Sequence, residues 1–405
     1  MKILLVHNYY QGHGGEDEVF RQEKNLLADA GHEVIQYTKC NKEINGYGFL
    51  QKIALAGRTV WAASTHRDLR EILRDENPDV AHFHNTFPLV SPSAYYACAA
   101  AGVPVVQTLH NPRLVCPAAT LYRNGQPCED CAGRAFAWPA VVHSCYQDSH
   151  LRSAVSASML SVHRFINTWR SKVDRYVVFT EFYREFFIKA GMPPDKIVVK
   201  PHFVDGDPGV RQQAGEYALF AGRLGTEKGV QTLLKAWEAL SEIPLKIRGD
   251  GPLAKEVERV AAMENSPISV VPRQSRKGLF DLIKGARFLV WPSEGYYETF
   301  GLVAIEAFAC GVPVIASSIG AMKEIVTDQQ TGLQFRAGDA IDLAQKVAWA
   351  WFHPEAMEAM GRRARAEFEA KYTKEHNYVA LRGIYEGVLQ DQAIGKPSLA
   401  PVGAD

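Results

Sequence analysis

VDGDPGVRQQAGE, residues 204–216, divides the chain. It is rich in glycine, proline and aspartate and has no periodic apolar face, so it reads as a linker. Asp205-Gly206-Asp207 within it is the one Asp-x-Asp and reads as a turn, not a metal site. On each side, short apolar β-type runs alternate with helical stretches. Before it come KILLVHNYY (2–10), a helix from Glu16 that stops at Gly31, then HEVIQYT (32–38), PDVAHFHN (78–85), the helical SPSAYYACAAAG (91–102), VPVVQTLH (103–110), DRYVVFT (174–180) and KIVVKPHF (196–203). After it come YALFAGRL (217–224), a helix from about Val230, LKIRGDG (245–251), a helix from about Leu253, ISVVP (268–272), ARFLVWP (286–292) and VPVIASS (312–318). Strand–helix alternation implies parallel βαβ units. The expected fold is therefore α/β, with two Rossmann-like doubly wound domains facing across a cleft.

The boundaries read as 1–205 for an N-terminal Rossmann-like domain with a cysteine-rich loop at 111–146. A C-terminal Rossmann-like domain follows at 206–373, then a helix at 374–392 and a tail at 393–405. The 405 residues are too many for one ordinary core. With 47% hydrophobic and 22% charged residues the composition is that of a soluble globular protein. Basic and acidic side chains number 45 each, which gives no charge field for nucleic acid. No apolar run approaches the roughly 20 residues that span a bilayer, and MKILLVHNYY is too short for a signal segment. The expected location is the cytoplasm, with peripheral contact at the inner membrane face as a further reading.

The chemistry is expected on loops that follow strands, because ligands of open α/β sheets sit at the carboxyl ends. After YALFAG, Arg223 and Lys228 flank a turn before a helix, where a planar fork and a point charge suit phosphate oxygens. As plain surface cations they would look the same. In EGYYETFGLVAIEAFACG (294–311), Gly301 lies near a helix start, and the amides of Thr299, Phe300, Gly301 and Leu302 can face an anion. Glu298 precedes that helix and Glu306 lies one or two turns into it. A carboxylate accepts hydrogen bonds from paired hydroxyls. Glu306 has neighbours Ala304, Ile305, Ala307 and Phe308, so its charge needs a partner. In the first half, Gly12, Gly14 and Gly15 follow the first strand and permit close approach to backbone amides. His110 ends a strand, where it is either a bonded structural residue or a cleft residue. His7, His13, His82 and His84 also lie near strand ends and rank lower; Asn85 follows His84.

Taken in order, GRLGTEKG, GDGP and ETFGLVAIEAFACGVPV resemble the retaining glycosyltransferases of family 4, which have the GT-B fold. The Glu298-to-Glu306 spacing is that family's E-x7-E. The resemblance implies that Glu306 binds ribose hydroxyls of a sugar nucleotide and Glu298 the donor sugar. It implies that Arg223, Lys228 and the amides around Phe300 hold the diphosphate, and that Gly251 and Arg273 border the base. His110 in TLHN would touch the transferred sugar, and Gly14 and Gly15 would meet acceptor or donor phosphate. The loop before Glu298 is slightly long for the family, which leaves Glu294 as its rival. The implied donor is a UDP- or GDP-linked sugar, and the implied acceptor a glycan or lipid-linked glycan in cell-surface polysaccharide synthesis. Transfer would retain configuration by a front-side route and need no divalent metal. An epimerase of the same fold and a non-catalytic sugar-nucleotide-binding protein are the alternatives.

Four cysteines remain, Cys116, Cys128, Cys131 and Cys145. A C-x2-C pair with one cysteine on each side suits a structural zinc; free thiols or a disulfide are the other readings. A subset of family-4 enzymes linked to exopolysaccharide or lipopolysaccharide assembly has a similar pattern. Cys40, Cys98 and Cys310 read as small core residues. LRSAVSASMLSVHRFINTWRSKVDRY (151–176) reads as one amphipathic helix with a basic side, either a plain domain helix or a surface for anionic lipid.

Overall fold

The computed structural model describes residues 1–12, 14–295 and 298–395. His13 and the tail from residue 396 lie outside the described residues. Among the described residues, two six-stranded sheets and one small hairpin make up the strand content. The first sheet contains β1 (Lys2–Tyr9), β2 (Glu33–Cys40), β3 (Val80–Phe83) and β4 (Val105–Thr108), while β5 (Tyr122–Arg123) and β6 (Gln126–Pro127) form the hairpin. β7 (Arg175–Val178) and β8 (Ile197–Val199) complete the first sheet in the order β2-β1-β3-β4-β7-β8. The second holds β9 (Tyr217–Ala221), β10 (Leu245–Arg248), β11 (Ile268–Val271), β12 (Ala286–Trp291), β13 (Val314–Ser317) and β14 (Gly332–Phe335), in the order β11-β10-β9-β12-β13-β14.

Every pairing within the two large sheets is parallel. That explains the unbroken apolar runs: helices cover both faces, so Ile3 to Val6 and Leu289 to Trp291 are all buried. In each sheet the strand order reverses next to the first strand of its half, β1 or β9. That switch point opens a crevice at the carboxyl ends. Residues 204–216 form no regular element. Asp207 there takes a bidentate ion pair from Arg365, at 2.6 and 2.7 Å. That bond, ahead of the amide of Gly209, pulls its carboxyl down to about 2.

The helix Lys374–Gly395 follows the second sheet in sequence but packs on the first. Its Leu381, Tyr385 and Val388 share a buried cluster with Ile3, Leu5, Phe20 and Val106. Tyr385 bonds His82 Nδ1 at 2.7 Å, and Asn377 Nδ2 donates to the carbonyl of Pro201 at 2.6 Å. The basic stretch at 151–176 is not one helix. It runs His150–Phe165, breaks at left-handed Asn167, resumes as Thr168–Ser171 and then enters β7. His163 accounts for the break: its Nδ1 bonds Thr168 and its Nε2 bonds the carbonyl of Val60. Among the described residues no helix is long and apolar enough to cross a membrane.

Candidate active site

The loops after β9 and β12 face one another at the crevice of the second sheet. Gly301 makes their approach possible. It caps the helix Leu302–Ala309 at φ +102°, and a Cβ there would stand 2.1 Å from the Trp291 ring. Only glycine fits both demands. Gly229, with φ +68° and the carbonyl oxygen of Pro292 1.9 Å from its would-be Cβ, ties the other loop down in the same way.

Lys228 and Glu298 meet in a direct ion pair, each side chain 16% exposed. Trp291 Nε1 and Ser293 Oγ also donate to the same Glu298 oxygen, at 3.2 and 3.3 Å. Burial alone would raise that carboxyl, but the Lys228 ammonium and these bonds outweigh it and hold it below the ordinary carboxylate value. Glu294 goes elsewhere: it accepts from Thr232, and from Tyr122 of the hairpin at 3.5 Å. The cysteine-rich segment therefore reaches the loop after β12. Arg223 is half-exposed and 3.5 Å from Glu227.

Glu306 sits one turn into the helix, within 4.0 Å of Arg276 Nη2. Burial pushes its carboxyl up to about 7, against the pull of Arg276 and Arg248. Arg276 was not singled out from the sequence, although it stands three residues beyond Arg273. Its Nη1 also reaches Glu18 across the crevice at 3.0 Å. Arg273 itself is exposed. The Gly251 amide donates to Asp250 Oδ1 at 2.7 Å. The Phe300 ring is buried, edge-on to His202 at 5.1 Å and Tyr372 at 5.8 Å, so only its backbone can face a ligand. Leu302 is half-buried at the helix start.

From the first sheet, His110 meets this site at the end of β4. Thr299 Oγ1 donates to the His110 carbonyl at 3.1 Å, which joins the two halves. The His110 ring bonds His84 at 2.9 Å. Burial, then neighbouring histidines and Lys200, press His110 well below the ordinary histidine value. Gly15 opens the first helix and is exposed, whereas the Gly14 amide is engaged by Asp17 at 3.2 Å. Glu16, also missed, is clasped by Asn85 at 3.0 Å and Asn111 at 3.1 Å. Burial and the charge of Asp17 push it up to about 8. An acidic first helical turn is common in any helix, so the sequence did not mark it.

The four cysteines Cys116, Cys128, Cys131 and Cys145 line one cavity together with Tyr122 and Arg123. None is in a disulfide. Among the described residues, the one set of three or more His, Cys or acidic groups with ligand atoms all within 4.8 Å of one another is Glu23, His82 and His84. Lys200 already holds Glu23 there, at 2.6 Å. An ammonium in that position opposes a cation.

Two family models match in tandem. "Glycosyltransferase Family 4" covers residues 14–207 and "Glycosyl transferases group 1" covers 208–367. The chain belongs to glycosyltransferase family 4. The uncharacterized glycosyltransferase MJ1178 of Methanocaldococcus jannaschii is 33% identical over 42% of this chain and 48% of its own length. The chain thus spans about half the length, or less, of the first curated relatives it matches. The N-acetyl-alpha-D-glucosaminyl L-malate synthase of Bacillus anthracis is 24% identical over 98% of this chain and all of that one. Among solved structures, Anabaena Alr3699/HepE in complex with UDP superposes with a TM-score of 0.66 at 16% identity, covering 96% of this family-4 chain and 100% of that chain. The likeness shows the fold, GT-B.

Proposed function

We propose that this family-4 protein transfers a sugar from a nucleoside diphosphate sugar to a glycan or lipid-linked glycan acceptor, with retention of configuration. The observation that carries the reading is the disposition of two carboxyls about one helix N-terminus. Glu298 is charged and bonded to Lys228; Glu306 is half-paired and free to accept hydroxyl bonds. Gly301 caps that helix, between the two in sequence. Lys228, Arg223 and those amides stabilise the departing diphosphate. Glu306 takes the ribose hydroxyls, Glu298 and His110 face the donor sugar, and Gly251 and Arg273 border the base. Gly14 and Gly15 meet acceptor or donor phosphate. A relative in fold is recorded with UDP, which supports a nucleotide donor. Thermal unfolding against UDP, GDP, ADP and their sugar conjugates tests this. A bound nucleotide at about 100 times its Kd adds roughly 2.7 kcal/mol. Stabilisation by one nucleotide class is expected, and the absence of any shift across the panel overturns the reading.

The convergence of Cys116, Cys128, Cys131 and Cys145 on one cavity supports a structural zinc. No three of these thiols lie within 4.8 Å of one another, so loading would draw their loops inward. About one zinc per chain in the purified protein, lost in Cys128→Ser/Cys131→Ser, is the expected result; metal-free protein with unchanged stability excludes it. Contact with an anionic membrane surface is supported by Phe49, Leu50 and Phe165, exposed on helices that also carry Lys52, Arg152 and Arg164. Flotation with anionic vesicles, reduced by Phe49→Ser/Leu50→Ser, tests that contact.

A further inference from the structure

Behind His110 runs a buried chain of polar groups that the transfer reaction as described does not use. Lys200 Nζ donates to Glu23 Oε1 at 2.6 Å and to Asn377 Oδ1 at 3.2 Å. Both Lys200 and Glu23 are fully buried. The other oxygen of Glu23, Oε2, has no hydrogen-bond partner, and neither does Nε2 of His84. These two orphans face each other at 3.5 Å. His84 Nδ1 then meets His110 Nε2 at 2.9 Å. The neighbouring His82 is already satisfied on both nitrogens, by Tyr385 and Thr108, each at 2.7 Å.

The proton positions follow from what each group can do. A carboxylate paired with an ammonium only accepts. The negative charge 3.5 Å from Nε2 stabilises a hydrogen on that nitrogen, which favours the His84 proton on Nε2. A neutral imidazole with one protonated nitrogen has a lone pair on the other. His84 Nδ1 is then an acceptor, and the proton between the two rings belongs to His110 Nε2. That leaves the lone pair of His110 on Nδ1, which no described group engages and which is not enclosed.

We propose that Glu23 and His84 are positioning residues that fix His110 as the Nε2–H tautomer, so that its Nδ1 presents a hydrogen-bond acceptor to the crevice. The ligand group this selects is a hydroxyl that donates, as on a sugar; a carbonyl or phosphate oxygen facing Nδ1 is disfavoured. The ligand part of this rests on the sugar-transfer reading, but the tautomer does not. Asn377 brings the C-terminal helix into the same chain, so the far end of the sequence helps set the polarity of His110.

Nitrogen-15 NMR of the full chain labelled at histidine reads the tautomers directly, without turnover. The expected result is that both His84 and His110 are neutral with the proton on Nε2. A proton on Nδ1 of His110 overturns the proposal, whether or not the protein transfers sugar. Two variants carry the functional consequence. His84→Asn keeps a carbonyl oxygen near the Nδ1 position and should retain the His110 tautomer and turnover. His84→Phe removes the acceptor and should lower kcat by about ten-fold or more, with a smaller change in donor KM. Equal loss in the two variants, with the His110 tautomer unchanged in both, also overturns it. Absence of transfer in the unaltered protein, with the tautomers as expected, sinks the sugar-transfer reading alone.

Discussion

Glu306 shows how one residue can be read from sequence and yet hold more than the sequence reveals. Its apolar neighbours marked a carboxylate that needs a partner, and Arg276 is the charge that reaches it. The value of about 7 against 4.5 means that the folded state resists ionising this group. Between those values the folded protein binds more protons than the unfolded chain, so stability falls as pH rises from about 4.5 to 7. The shift corresponds to roughly 3 kcal/mol. Urea unfolding at pH 5 and pH 8 should show Glu306→Gln gaining on the parent protein as pH rises. A bound nucleotide whose hydroxyls donate to the ionised carboxylate reverses that preference. Its affinity should therefore weaken as pH drops below about 7, and Glu306→Gln should flatten that dependence. The pairing of Glu298 with Lys228 was not legible, since the two lie 70 residues apart and the choice between Glu294 and Glu298 turned on loop length. The bonds of Glu294 to Thr232 and Tyr122 show where that other carboxylate goes. Arg276, Glu16 and Glu23 left no local signal, because each gains its meaning from a partner on another element.

At the scale of elements, buried runs such as Leu289–Trp291 declare themselves, because a strand covered on both faces is apolar throughout. The edge strand β14, four residues with Gln334 half-exposed, does not. Nor did the break in the basic stretch at Asn167, which answers to a tertiary bond from His163 to Val60. The end of β8, the first helix and the C-terminal helix meet at Lys200. Lys200→Met leaves Glu23 buried with no opposite charge and should cost roughly 3–5 kcal/mol. Adding Glu23→Leu should recover much of that loss. Chemical denaturation of the two variants checks this; a double variant as unstable as the single one means that the charge pair is not the main support at this junction.

Over the whole molecule, the two halves are joined by several described contacts, at the crevice and, beside it, through Glu324, which accepts from the amides of Glu181 and Phe182 at 2.9 Å. Thr299 reaches the His110 carbonyl, Arg276 spans Glu18 and Glu306, and Phe300 packs with Phe179, His202 and Tyr372. The ion pair is partly exposed and worth little, whereas Phe179, His202, Phe300 and Tyr372 are all buried, so the aromatic seam is a buried part of the joint. Phe300→Ala should cost roughly 3–5 kcal/mol and resolve calorimetric unfolding into two transitions; a single transition at the parent temperature excludes the seam as the coupling element. The two-sheet plan was open to reading because residues 204–216 interrupt the alternation, whereas the seam was not, since its aromatics look like ordinary core.

The C-terminal helix also has a consequence in time. Ile3, Leu5, Phe20 and Val106 are covered by Leu381, Tyr385 and Val388. A ribosome makes that cover only after the entire second sheet. At about 5–20 residues per second, β8 emerges roughly 10–40 s before its capping helix. During synthesis the first sheet waits with one apolar flank bare, and nascent-chain chaperones have that interval in which to act.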